Sequence, residues 1–88
     1  MDKNGKVVID VREPFEFEIG HVAGAINIPP SQIMQGEETF KGIPKDAEII
    51  VYCRTGSRSA VAMNIMQRMG FKNVVNGINK DQVQARFL

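Results

Sequence analysis

The sequence predicts one α/β domain built on a largely parallel sheet. Three observations carry that prediction. Short runs of β-branched residues alternate with segments of helical apolar spacing, the order that strand–helix–strand crossovers produce. Glycine or a proline pair stands at the ends of several of these segments, at Gly20, Pro29-Pro30 and Gly70. A chain of 88 residues, 43% of them hydrophobic, has room for a single core.

Lys6 to Val11 (KVVIDV) reads as a buried strand with a polar residue near its end. A buried carboxylate at Asp10 needs hydrogen bonds or a cation, and Arg12 lies on the same side of the extended chain. Asp10 is therefore read as tying down neighbouring backbone in preference to catalysis. Arg12-Glu13-Pro14 opens a helix, with Pro14 at the first position and Glu13, Glu16 and Glu18 favoured by the helix dipole. Phe15 and Ile19 are expected on its inward face, and Gly20 ends it. His21 follows between glycine-rich segments, and it is read as shaping this loop by bonding local backbone, ahead of serving as a base for Cys53.

Ala25 to Ile28 is a second short strand, stopped by Pro29-Pro30, which neither extends a ladder nor enters a helix. Ser31 to Gln35 is expected as a helical turn capped by Ser31. Gly36 to Ala47 is a polar connection anchored by Phe40 and Ile43. Ile49 to Tyr52 is a third strand, short and β-branched or aromatic, with Cys53 at its end. Arg54 to Ser59 holds two arginines, one glycine and three hydroxyl side chains, the composition of a loop. A helix then begins near Ser57 or Ser59, with Ala62, Ile65, Met66 and Met69 on one side and Asn64, Gln67 and Arg68 on the other, and stops at Gly70. Lys72 to Asn76 is expected as a last strand, Gly77 as a turn, and Asp81 to Leu88 as a helix that buries Val83 and Phe87.

A net charge of +1 gives no case for nucleic acid or an anionic membrane surface. No run approaches a transmembrane span, and the opening MDKNGK lacks the apolar stretch of a signal peptide. A cytoplasmic protein is expected, or a periplasmic one should Met1 not be the natural start. The single cysteine excludes an internal disulfide or dithiol site. One Cys and one His fall short of a zinc ligand set, so neither metal nor cofactor is expected.

Ligands of such sheets collect beyond the carboxyl ends of the strands, which is where Cys53 falls. A run of backbone N–H groups entering a helix N-terminus forms an anion-binding concavity that also stabilises a thiolate. Arg54 and Arg58 add positive charge. These features suit a nucleophilic cysteine that takes up a group from a small anionic substrate. The Walker pattern GxxxxGK[ST] is absent.

Three blocks then carry a resemblance: Val8 to Phe17 (VIDVREPFEF), Gly20 to Pro29 (GHVAGAINIP) and Ile50 to Ser59 (IVYCRTGSRS). In this order, over roughly residues 7 to 76, they resemble a rhodanese-like sulfurtransferase domain. The resemblance implies a sheet of four to five strands flanked by helices on both faces. It also implies that Cys53 takes the outer sulfur of thiosulfate or another persulfide donor, becomes a persulfide, and passes the sulfur to cyanide or a thiol. Arg54, Thr55, Gly56, Ser57, Arg58 and Ser59 would hold the substrate. Asp10, Arg12, His21 and Gly24 match positions that hold neighbouring segments in place. A monomer is expected, with a protein thiol as a further candidate acceptor. Residues 1–88 would form one such domain without the strand and helix that many members carry first. The segment Asn76 to Lys80 is shorter than the family's usual Gly-Gly stretch.

Two other readings compete. Cysteine phosphatases and arsenate reductases also place a cysteine before an arginine in an anion loop, but their spacing resembles Cys, five residues, then Arg, one more than separates Cys53 from Arg58. The third reading is a low-turnover module that carries a persulfide to a docked partner.

Overall fold

Among the described residues, four parallel strands and one antiparallel strand form a single sheet. The computed structural model describes residues 5–88 in full and residues 2–3 as backbone. Met1, on which the expected compartment turns, lies outside the described residues. In chain order the elements are β1 (Asp2–Lys3), β2 (Lys6–Asp10), α1 (Pro14–Ile19), β3 (Ile26–Asn27), α2 (Pro30–Ile33), a 3-10 turn (Glu37–Phe40), β4 (Glu48–Cys53), α3 (Ser57–Arg68), β5 (Asn73–Asn79) and α4 (Lys80–Phe87). β2 and β5 flank β4, and the far edge of β2 is shared by β1 at one end and β3 at the other. No helix among the described residues is long and apolar enough to cross a membrane.

β4 is central, and Ile49 to Cys53 are buried on both of its faces. That is why it reads as an unbroken apolar run. Its side chains alternate between two cores. Ile49, Val51 and Cys53 join Val7 and Ile9 of β2, and Val11 just beyond it, under Ile33, Ala62 and Met66 of α2 and α3. Ile50 and Tyr52 join Val8 and Val22 under Val83 of α4. At about 1.5–3 kcal/mol for each fully buried Ile, Val or Met, this two-sided burial holds β4 in one register.

Several expectations are corrected. Helix α1 has the expected Pro14 start and Gly20 end but no buried residue, and Phe15 and Ile19 are 67% and 85% exposed. Its six residues are fixed instead by ends and polar contacts, notably the exchange in which the Glu13 side chain and Glu16 cap each other's backbone. Pro30 does enter a helix: it is the first residue of α2, with Pro29, not Ser31, as the cap, since a proline's missing N–H is harmless there. Gly77 is no turn. It is the extra residue of a bulge in β5, where Val51 faces Asn76 and Tyr52 faces Ile78. A Cβ there would meet Val83 Cγ2 at 2.5 Å and Ile50 Cγ2 at 2.8 Å, so close packing is what requires glycine.

Candidate active site

The site forms where β4 gives way to α3. Cys53 is the last residue of β4, and Gly56, with φ of 97°, is the N-cap of α3. That left-handed turn is easy for glycine, and it brings the chain back over the thiol. The Gly56 N–H donates to Cys53 Sγ at 3.1 Å and the Ser59 N–H at 3.4 Å, while Ser59 Oγ lies 3.3 Å from the sulfur. Cys53 is only 2% exposed, more deeply set than the end of a strand implies. Burial pushes its thiol pKa up, but the Ser59 hydroxyl and the amides of Ser59, Gly56 and Thr55 outweigh it and hold the thiol below its ordinary range.

A cleft of about 220 Å³ is lined by Arg12, Cys53, Arg54, Asn79, Lys80 and Asp81. Arg54 and Lys80 stand there beside Asp81, while the Arg12 guanidinium is paired with the buried Asp10 carboxylate at 2.6 Å. Asn79 caps α4 by accepting the Gln82 N–H at 2.9 Å, so the β5–α4 junction that builds this wall is fixed by its own side chain.

The expected site residues divide into those at the sulfur and those around it. Gly56 and Ser59 contact it. Arg54 lines the mouth. Thr55 and Ser57 are exposed and face each other, Oγ1 to Oγ at 3.4 Å. Arg58 is turned away from the cleft lining towards α1, where Nη1 and Nη2 donate to Glu16 Oε1 and Oε2 at 2.7 and 3.1 Å. Glu16 is correspondingly held low, at about 2, by the Arg58 hydrogen bonds and the Glu13 backbone.

Asp10 is fully buried and accepts from the Arg12 N–H at 2.9 Å, Arg12 Nη2 at 2.6 Å and the Tyr52 hydroxyl at 2.8 Å. Arg12 Nη2 also donates to the Gly20 carbonyl at 2.6 Å, and the Val22 N–H donates to Tyr52 Oη at 3.0 Å. One buried network thus joins the ends of β2, α1 and β4. His21 stays on the surface, with Nδ1 donating to the Phe17 carbonyl at 2.7 Å and its ring stacked on Phe17 at 3.6 Å. It does not line the cleft.

Sequence reasoning missed Asn76. Its oxygen accepts from Ser59 Oγ at 2.6 Å and from the Ile78 N–H at 3.0 Å, and its Nδ2 donates to the Gly56 carbonyl at 2.9 Å. Ile78, with φ of 77°, holds a left-handed conformation that is unusual for a β-branched residue and packs its side chain over Gly56. A polar side chain in an otherwise apolar strand run, Val74-Val75-Asn76, was the available signal.

A strand ends in a cysteine whose sulfur takes the Gly56 and Ser59 amides at the N-terminus of α3, and this junction is the centre of the α/β domain. A family model described as rhodanese-like domain matches residues 1–79. Thiosulfate sulfurtransferase PspE of Escherichia coli K12 is 39% identical over 69 residues, covering 77% of this chain and 64% of PspE. MoeZ of Mycobacterium tuberculosis is 44% identical over 69 residues, 78% of this chain but 17% of MoeZ. This chain thus spans less than two thirds of either relative. Among solved structures, a rhodanese with anions from E. coli superposes with a TM-score of 0.76 at 32% identity, covering 88% of this chain and 89% of that one. Human single-domain sulfurtransferase TSTD1 shares the fold, with a TM-score of 0.74 at 22% identity over 96% and 85% of the two chains. The chain belongs to the rhodanese-like domain family.

Proposed function

We propose that the protein is a sulfurtransferase that moves a sulfane sulfur from thiosulfate or a persulfide donor to cyanide or a thiol through a persulfide on Cys53. The observation that carries this reading is that Cys53 Sγ takes the Gly56 and Ser59 amides while Cys53 shares the lining of one cleft with Arg54 and Lys80. The Cys53 thiolate attacks the outer sulfur of thiosulfate, the sulfur–sulfur bond of the donor breaks, and sulfite leaves with the electron pair. Cyanide or an acceptor thiolate then attacks the terminal sulfur, and Cys53 returns as thiolate. Each step is displacement at sulfur, which needs an ionised attacker and a stable leaving group and no proton shuttle. The amides meet the developing negative charge without reorganising. The position of His21 outside the cleft fits chemistry that dispenses with a base.

Phosphatase or arsenate reductase action fits less well, because the Arg58 guanidinium that would clasp a tetrahedral oxyanion is engaged by Glu16. Intact mass spectrometry after incubation with thiosulfate tests the reading. A gain of one sulfur, removed by cyanide, supports it, and an unchanged mass contradicts it.

A further inference from the structure

Asn76 makes no hydrogen bond to Cys53 and does not line the cleft, yet it holds three groups around the sulfur: the Ser59 hydroxyl, the Ile78 N–H and the Gly56 carbonyl. The Ser59 hydroxyl has one hydrogen to give. Two acceptors compete for it, Asn76 Oδ1 at 2.6 Å and Cys53 Sγ at 3.3 Å. While Cys53 is a thiol, its S–H can donate to Ser59 Oγ and leave the hydroxyl hydrogen to Asn76 Oδ1, the nearer acceptor. When the thiol proton leaves for water, the sulfur is an acceptor only, and the hydroxyl hydrogen turns to it. Asn76 Oδ1 is not orphaned by that turn, because it keeps the Ile78 N–H. The Gly56 carbonyl is held in both states by Asn76 Nδ2 and by the Ala60 N–H at 3.0 Å.

We propose that Asn76 is a positioning residue that acts on Cys53 through Ser59, taking the hydroxyl hydrogen while the sulfur is neutral and releasing it once the sulfur is charged. The proposal rests on Cys53 as the nucleophile of the reading above, but it concerns ionisation, which is measured with no sulfur donor present. The charged groups facing the sulfur are Arg12, Arg54, Lys80 and Asp81 in the cleft and Arg58 in the first turn of α3. All remain in the variants below, so their field is a common background for every variant except Asn76→Asp, which adds a carboxylate of its own.

The test is the pH dependence of Cys53 alkylation by iodoacetamide in the wild type, Asn76→Ala, Asn76→Asp, Ser59→Ala and Ser59→Ala with Asn76→Ala. Asn76→Ala removes the competing acceptor while Gly56 keeps its Ala60 bond, so the midpoint falls. Asn76→Asp both holds the hydrogen and adds a negative charge near the thiolate, so the midpoint rises by about one pH unit or more, and the Asn76→Ala comparison isolates the hydrogen-bond effect. Ser59→Ala also raises it, and in that background Asn76→Ala has no effect. A residue that merely braced the loop would raise the midpoint in both Asn76 variants with or without Ser59, and that result overturns the proposal. Should Asn76→Asp fail to fold, the Asn76→Ala comparison decides alone: a fall that vanishes without Ser59 supports the proposal, while a rise, no shift, or an equal shift in both backgrounds overturns it. Normal ionisation behaviour with no sulfur uptake would instead sink the sulfur-transfer reading and leave this one standing.

Discussion

Arg58 and Glu16 form a two-pronged ion pair, Nη1 to Oε1 at 2.7 Å and Nη2 to Oε2 at 3.1 Å, that fastens the first turn of α3 to the otherwise unburied helix α1. The side chains are 35% and 15% exposed, so solvent screening limits the pair to roughly 0.5–1 kcal/mol. A double-mutant cycle with Arg58→Ala and Glu16→Gln should return a coupling of that size by urea unfolding. A coupling indistinguishable from zero would mean that something else holds α1.

The same pair predicts an acid dependence. Glu16 titrates at about 2 when folded against 4.5 as its ordinary value. A depressed carboxyl contributes stability that is present above the ordinary value and lost as pH falls through the folded one. Stability should therefore decline between about pH 4.5 and 2, and Arg58→Ala should flatten the Glu16 share of that decline. Parallel acid limbs in the wild type and the variant would contradict the assignment.

Tyr52→Phe removes a hydroxyl that donates to Asp10 and accepts from Val22, both buried. The Val22 N–H is left without its partner, and Asp10 loses one donor. The expected cost is about 1–3 kcal/mol, read as a lower urea midpoint with an unchanged slope. Burial, with the Asp10 contact adding to it, raises the Tyr52 pKa well above its usual value, so this hydroxyl stays protonated across the working range. An unaltered midpoint would show that the Asp10 network is not tied together through Tyr52.

Gly77→Ala drives a methyl into Val83 and Ile50. Overpacking of this kind costs about 1–3 kcal/mol. Wild-type stability in the variant would mean that the β5 bulge yields readily.

The central unit, Ile49 through Met69, was legible because a buried parallel strand and an amphipathic helix write different periods, and Cys53 stands where one period stops. Asp10 with Arg12 was legible for a related reason: a carboxylate inside an apolar run must have a partner close by. Helix α1 misled because Phe15 and Ile19 have inward spacing, yet a six-residue helix anchored through Glu13, Glu16 and the Arg58 pair has no core beneath it to receive them. Gly77 misled because a bulge and a turn share the same residue. The Asn76 links to Ser59 and Gly56 escaped because they cross from β5 to the start of α3, and no local spacing records that crossing.

Removing the proposed nucleophile should leave a folded protein. Cys53→Ala deletes one atom from a buried position, so a loss of about 1 kcal/mol is expected, with thiocyanate formation from thiosulfate and cyanide abolished. Turnover near the wild-type level would remove Cys53 from the mechanism.

The most direct measurement is the mass of the intact protein after exposure to thiosulfate, in the wild type and in Cys53→Ala side by side. The wild type should gain a single sulfur, localised to Cys53 and released by cyanide, while the variant gains none. No gain in the wild type, or an equal gain in both, would contradict sulfur transfer through Cys53.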